Sequence, residues 1–191
     1  MEFNIKDILT IFMVLFAVID IIGNIPIIID LRQKVGQIQS GKASLIAGII
    51  LIVFLFIGEQ LLSIIGIDVH SFAIAGSLII FFIALEMILG IKIYKDEKNP
   101  LNATVFPLAF PLIAGPGSLT TLLSLKAAYS NTNIIIAIFI NMLFIYIVLK
   151  GSSKIEKIIG ENGIGIIRKI FGVILLAISI KLFTSNIKFL L

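Results

Sequence analysis

Apolar residues in this chain come in long blocks, not in alternating or one-sided patterns. Residues 43–58, 71–85, 99–125 and 127–149 contain no Asp, Glu, Lys or Arg. A membrane-spanning helix needs about 20 predominantly apolar residues. The pattern predicts six helical spans, at 7–30, 43–65, 69–92, 103–126, 132–150 and 166–188. The shortest connection falls around Asp68 and His70. On this reading the whole chain, 1–191, is a single all-α transmembrane domain embedded in a lipid bilayer.

Composition agrees. The 191 residues are 59% hydrophobic and 14% charged, with a mean hydropathy of +1.18. A soluble domain carries about a quarter charged residues, so there is too little polar surface here to cover such a core. Cysteine is absent, which excludes a disulfide framework, thiolate metal sites and a cysteine nucleophile. No Walker loop, dinucleotide fingerprint or hydrolase elbow occurs. The expectation is a protein that is not an enzyme, with no cofactor, no metal site and no nucleic-acid partner. The single histidine, His70, is expected to be solvated. Glu2, Lys6 and Asp7 stand where a signal peptide would carry a basic cluster, so the first apolar run is expected to be retained.

Charge placement gives an orientation. Arg32, Lys34 and Lys42 follow span one, and Lys92, Lys95 and Lys98 follow span three. Lys150, Lys154, Lys157, Arg168 and Lys169 lie between spans five and six. Eleven basic residues thus share one side, against Lys6, Lys126 and Lys188 on the other. Basic loops stay cytoplasmic, so both termini are predicted to be external in a cell inner membrane.

The chain also reads as two related halves, about 1–97 and 98–191. Each half opens on a span broken by Gly and Pro: Gly23-Asn24-Ile25-Pro26 and Gly115-Pro116-Gly117. Each third span carries a Gly before an apolar run, Gly76 and Gly172. Three spans per half is an odd number, so the second half enters from the opposite face, giving inverted three-helix repeats. Proline lacks an amide hydrogen and clashes with the preceding turn, so it interrupts a helix. Asn24 is placed to cap a new half-helix with Pro26 in its first turn, and Gly115 and Pro116 repeat the arrangement. Freed backbone groups cannot face lipid. Two half-helix N-termini meeting near the bilayer midplane would attract a carboxylate. Two unrelated structural kinks are the other reading.

Asp20 lies one turn before Gly23 among apolar neighbours. At that depth a charge costs at least about 2.5 kcal/mol, so Asp20 is expected to face the interior. There it would couple a proton or hold a substrate ammonium; capping the broken helix is the plainer role. Asn141 is its expected polar neighbour, or else an ordinary interhelical hydrogen bond. Lys181 reads as snorkelling to the interface, and Glu86 lies toward the opposite end of span three.

These residues resemble a family. Ile19 to Pro26 is similar to the first-span signature Asp-Pro-x-Gly-Asn-x-Pro of the MarC family of integral membrane proteins, departing at Ile21, where the family carries proline. Phe106 to Ser118, with Ala114-Gly115-Pro116-Gly117, resembles its fourth-span signature, and Ile74 to Ile80 its third-span motif. The resemblance implies an inner-membrane protein related to the LysE exporter superfamily, some of whose relatives, the SnatA-like ones, transport glycine- or alanine-like amino acids. A zwitterionic substrate would then touch Asp20, Gly23, Asn24, Pro26, Ala114, Gly115, Pro116, Gly117, Ser118 and Asn141. A metal-ion transporter and a non-transporting scaffold are the alternatives.

Overall fold

The structure is a computed structural model that describes residues 4–91 and 104–189, without the side chains of 26, 33–34, 153–165, 167–168 and 171. The Lys92, Lys95 and Lys98 cluster and the boundary between the halves therefore lie outside the described residues, as do the side chains of Pro26, Lys34, Lys154, Lys157 and Arg168.

Every described element is helical: α1 (Ile5–Ile19), α2 (Ile25–Val35), α3 (Ser40–Ile65), α4 (Val69–Leu89), α5 (Thr104–Ile113), α6 (Pro116–Ala128) and α7 (Asn131–Ile187). Three stretches are long and apolar enough to cross a membrane: Ser40–Ile65, Val69–Leu89 and Asn131–Ser152. The pair α5 and α6, bent by 46° at their junction, makes a fourth. α5 is a wide-turned segment in which Phe106 and Phe110 are extended. Each precedes a proline, Pro107 or Pro111, whose ring pushes the residue before it out of the helical region.

α7 runs over 57 residues and takes in the expected connection between spans five and six. A straight helix of that length would run about 85 Å, and the contacts forbid one. Phe144 packs against Phe16 with ring centroids 5.1 Å apart. Two residues beyond Phe16, Val18 lines one small cavity together with Ile178. Along a straight helix Phe144 and Ile178 would be about 50 Å apart, so α7 doubles back between Ser152 and Gly172.

The side-chain contacts also fix the relative directions. Asn4, Phe12 and Phe16 meet Asn133, Asn141 and Phe144 in turn, so α1 runs parallel to the first part of α7. Gly41 lies by Tyr146 and Gly48 by Met142, so α3 runs against it. Gly172 packs on Met87 and Ile88, while Asn186 reaches His70, so the last part of α7 runs against α4. His70 is thus tied down and not merely solvated: it bonds Asn186 Oδ1 at 3.0 Å and stacks on Phe189.

The surface is apolar and part of the interior is polar. Leu45, Ile49, Val53 and Phe56 of α3 are exposed, as are Phe139, Leu143 and Ile147 of α7. Asn24, Asp30, Ser77, Glu86, Ser118, Asn133 and Asn141 are buried beside the aliphatic core. A monomer in water rarely exposes so much contiguous apolar surface, whereas lipid accepts it. With no hydrophobic force between helices in lipid, close packing takes over. Gly76 shows it: a Cβ there would overlap the ring of Pro116, so α4 rests directly on the start of α6.

The turn into α4 makes a testable cap. Asp68 accepts from the amides of His70 and Ser71 at 2.8 Å, and the Ser71 hydroxyl donates to the same carboxylate. The Ser71 bonds, chiefly its hydroxyl, hold the Asp68 carboxyl below its usual range. A folded pKa below the unfolded value of about 3.9 means the cap stabilises above that pH and is lost as pH falls through the folded pKa. Asp68→Ala should lower the melting temperature at pH 7, and the gap to the parent should narrow as the pH falls below about 3.9. A gap of constant size through the acid range would show that charge is not what the cap uses.

Candidate functional site

The two interruptions are built differently. At the first, α1 ends on Asp20 in the left-handed conformation (φ 45, ψ 49), which Asp tolerates better than most residues. Its carboxylate folds back so that Oδ1 accepts from the Gly23 amide at 3.2 Å. A Cβ on Gly23 would overlap that carboxylate. The Asn24 and Ile25 amides donate to the carbonyls of Asp20 and Ile22. The Asn24 side chain, buried, donates through Nδ2 to the Ile19 carbonyl at 3.0 Å. It therefore closes the end of α1 and leaves α2 without a side-chain cap. The amides of Gly23, Asn24 and Ile25 are thus already used by the turn.

Asp20 itself is exposed on the surface of the chain, which corrects its expected place in the interior. The geometry gives it the capping role. Asn141 is fully buried but does not join Asp20. Its Nδ2 donates to Ala137 at 3.0 Å and to Phe12 at 3.3 Å, and Phe12 lies about two turns before Asp20. Asn141 is an interhelical tie between α7 and α1.

The second interruption is open. Ala114 donates to the Ala109 carbonyl and Leu119 to the Gly115 carbonyl, which ends one segment and starts α6. The Ser118 hydroxyl, buried, lies 2.9 and 3.0 Å from the Ile113 and Gly115 carbonyls and shares its one hydrogen between them. Pro116 has no amide hydrogen, and the Gly117 and Ser118 amides have no partner among the described residues. First-turn amides of a helix normally lack partners within it. Here they lie beside a cavity of about 200 Å³ to which Gly115, Gly117 and Ser118 contribute.

The same cavity is lined by Val18 of α1, Ile80 of α4 and Ile178 and Lys181 of α7. The end of α1 and the start of α6 do meet: a Cβ on Gly117 would lie 3.5 Å from Val18 Cγ1. Asp20, Gly23 and Asn24 do not line the cavity. The structure thus brings together Gly115, Gly117 and Ser118, with Pro116 beside them under Gly76, and leaves the first interruption and Asn141 outside. Among the described residues no group of three or more His, Cys, Asp or Glu is placed to hold a metal ion.

The sequence profile of the MarC family, described as integral membrane proteins, matches residues 5–191. The chain belongs to the MarC family. It is an integral, multi-pass membrane protein, as the family and the apolar helices together require. A UPF0056 membrane protein of Buchnera aphidicola subsp. Schizaphis graminum is 35% identical over 93% of this chain and 90% of its own length. A UPF0056 membrane protein of Aquifex aeolicus is 32% identical over 94% of this chain and 92% of its own. The UPF0056 inner membrane protein YhgN of Escherichia coli K12 is 29% identical over 96% and 97%. No solved structure matches.

Three polar residues escaped the MarC signatures. Asp30 is buried in the middle of α2. Arg32 reads in the sequence as a loop charge, yet it donates to the Leu149 carbonyl at 2.8 Å and to the Ser152 and Ser40 hydroxyls at 3.3 and 3.5 Å. Lys181 reads as a snorkelling residue, yet it lines the cavity. For Lys181 the sequence carried a signal: it is the one charge in the apolar helix Gly172–Ile187.

Proposed function

We propose that this MarC protein is a secondary transporter of small neutral amino acids, glycine- or alanine-like, with six crossings arranged as two inverted three-helix halves. The observation that carries the reading is the cavity at the α5–α6 interruption. It is small beside drug-sized pockets of about 300–1,000 Å³, and the unpartnered amides of Gly117 and Ser118 flank it. A substrate carboxylate would lie toward those amides, where the helix dipole favours negative charge. The helix directions support the six crossings, since α1 runs with the first part of α7, α3 runs against that part, and α4 runs against the last part of α7. The inner membrane is the proposed location, as in the printed name of the Escherichia coli relative.

Uptake of labelled alanine or glycine into proteoliposomes tests the reading. Flux above empty liposomes, saturable and inhibited by the other amino acid, is the expected result. Absence of flux under both pH and sodium gradients would leave the scaffold alternative, and flux of a divalent cation instead would favour the metal-ion one.

Two further outcomes belong to this proposal. The basic-loop count places Lys95 inside and both termini outside. Because cysteine is absent, a single Cys at 189 should react with an impermeant maleimide in intact cells, and one at 96 should not; the reverse pattern overturns the orientation. Asp20→Asn keeps an oxygen for the Gly23 amide, so transport should survive it. If proton-driven accumulation vanished with the fold intact, the proton-coupling role for Asp20 would be restored.

A further inference from the structure

We propose that Lys181 is the residue that holds the carboxylate of the transported molecule, and that it makes the cavity selective for ligands bearing one. The inference rests on the transporter reading and names the ligand group that the cavity selects. Lys181 is the only charged residue lining the cavity among those described, and no carboxylate lines it. Its ammonium has no hydrogen-bond or ion-pair partner among the described residues; its backbone carbonyl accepts from Thr184. It is exposed, and it is the one charge in the apolar helix Gly172–Ile187, where a charge against lipid is costly.

The surroundings fit a carboxylate. Ser185, one turn beyond Lys181, also lines the cavity, as do Gly117 and Ser118, whose amides have no partner among the described residues. A lysine is a compact, rotatable point charge with three donors, suited to a small anion that arrives and leaves. Its uncompensated positive charge disfavours a metal cation or an amine that lacks a carboxylate.

The test measures binding to purified protein in nanodiscs, with labelled alanine as probe and propionate and alaninamide as competitors. Propionate keeps the carboxylate and loses the ammonium; alaninamide does the opposite. Propionate should compete and alaninamide should not. Lys181→Gln should weaken alanine binding at least tenfold without moving the melting temperature, whereas Lys181→Arg should retain part of it. The absence of cysteine adds a chemical rescue: Lys181→Cys should bind poorly and recover after alkylation with bromoethylamine, which rebuilds an ammonium at nearly the original length. If Lys181→Gln does not fold, the alkylated and unalkylated Cys forms decide the matter. Parent protein that neither binds nor transports alanine would sink the transporter reading itself. Parent binding with Lys181→Gln within twofold of it, or alaninamide competing as well as propionate, would overturn the role of Lys181 and leave that reading standing.

Discussion

Gly115→Ala should destabilise the protein severely, and Gly115→Val at least as much. The backbone at Gly115 is ordinary (φ −95, ψ 174), a conformation any residue adopts. What forbids a side chain is space. A Cβ there would overlap the Pro111 carbonyl oxygen, with the Pro111 carbonyl carbon 3.0 Å away. That oxygen belongs to backbone, so no rotamer change moves it. Pro111 fixes its own φ, and Ser118 binds the carbonyls of Ile113 and Gly115, so the segment has little freedom to shift. Overpacking a core usually costs about 1–3 kcal/mol, and a clash between two backbone segments belongs at or above the top of that range.

Gly172→Ala is the comparison. Its nearest neighbours would be Ile88 Cγ1 at 2.8 Å and Met87 Cβ at 3.1 Å, side-chain atoms on a helix that can give way. Monodisperse yield in detergent and the melting temperature should rank the variants parent, Gly172→Ala, then Gly115→Ala. A Gly115→Ala protein that melts with the parent would mean that the turn before α6 is built otherwise. Loss of substrate binding in a Gly115 variant therefore says nothing about ligand contact, which is why the binding test is placed on Lys181.

Much of this fold was legible because lipid imposes a simple rule: charge-free blocks become helices. The blocks at 43–58 and 71–85 fall inside α3 and α4, and all but the first four residues of 127–149 fall inside α7. The Gly-Pro interruptions were legible for a local reason, since proline cannot continue a helix, and both mark real ends: α1 stops at Ile19 and α6 starts at Pro116. What sequence did not reveal is which freed groups stay free. Gly23-Asn24-Ile25 and Gly115-Pro116-Gly117 look alike in composition. Yet the first turn spends the Gly23, Asn24 and Ile25 amides on the Asp20 carboxylate and on the Asp20 and Ile22 carbonyls, while the second leaves two beside a cavity. That difference depends on the left-handed turn at Asp20 and on what packs opposite, Gly76 and Lys181, which lie far away in the chain. Asp20 drew attention as the charge in an apolar span; the lysine in the cavity sat in a helix whose neighbours only the fold reveals.

Arg32→Met should destabilise the protein by about 3 kcal/mol, with no direct effect on the cavity. Arg32 ties α2 to two other elements through the Leu149 carbonyl, the Ser152 hydroxyl and the Ser40 hydroxyl. Hydrogen bonds to a charged group contribute about 1.5–3 kcal/mol each. The three share one guanidinium and two are long, so their sum is well below three times that figure. Methionine keeps the apolar stem and removes the donors, which isolates the polar contribution. Lysine should recover only part, because a point charge cannot reproduce a planar fork that reaches a carbonyl and two hydroxyls at once. The competing account is that α2 is held by aliphatic packing alone, since Ile27, Ile28, Ile29 and Leu31 are all buried. A double-mutant cycle of Arg32→Met with Ser152→Ala separates the two. Ser152 also donates to Leu149, so its own loss has a cost independent of Arg32. A coupling energy of about 0.5 kcal/mol or more is expected for residues sharing one hydrogen-bonded network. Strictly additive losses, or an Arg32→Met protein that melts with the parent, would assign the docking of α2 to the isoleucines and return Arg32 to the loop charge that the sequence suggested.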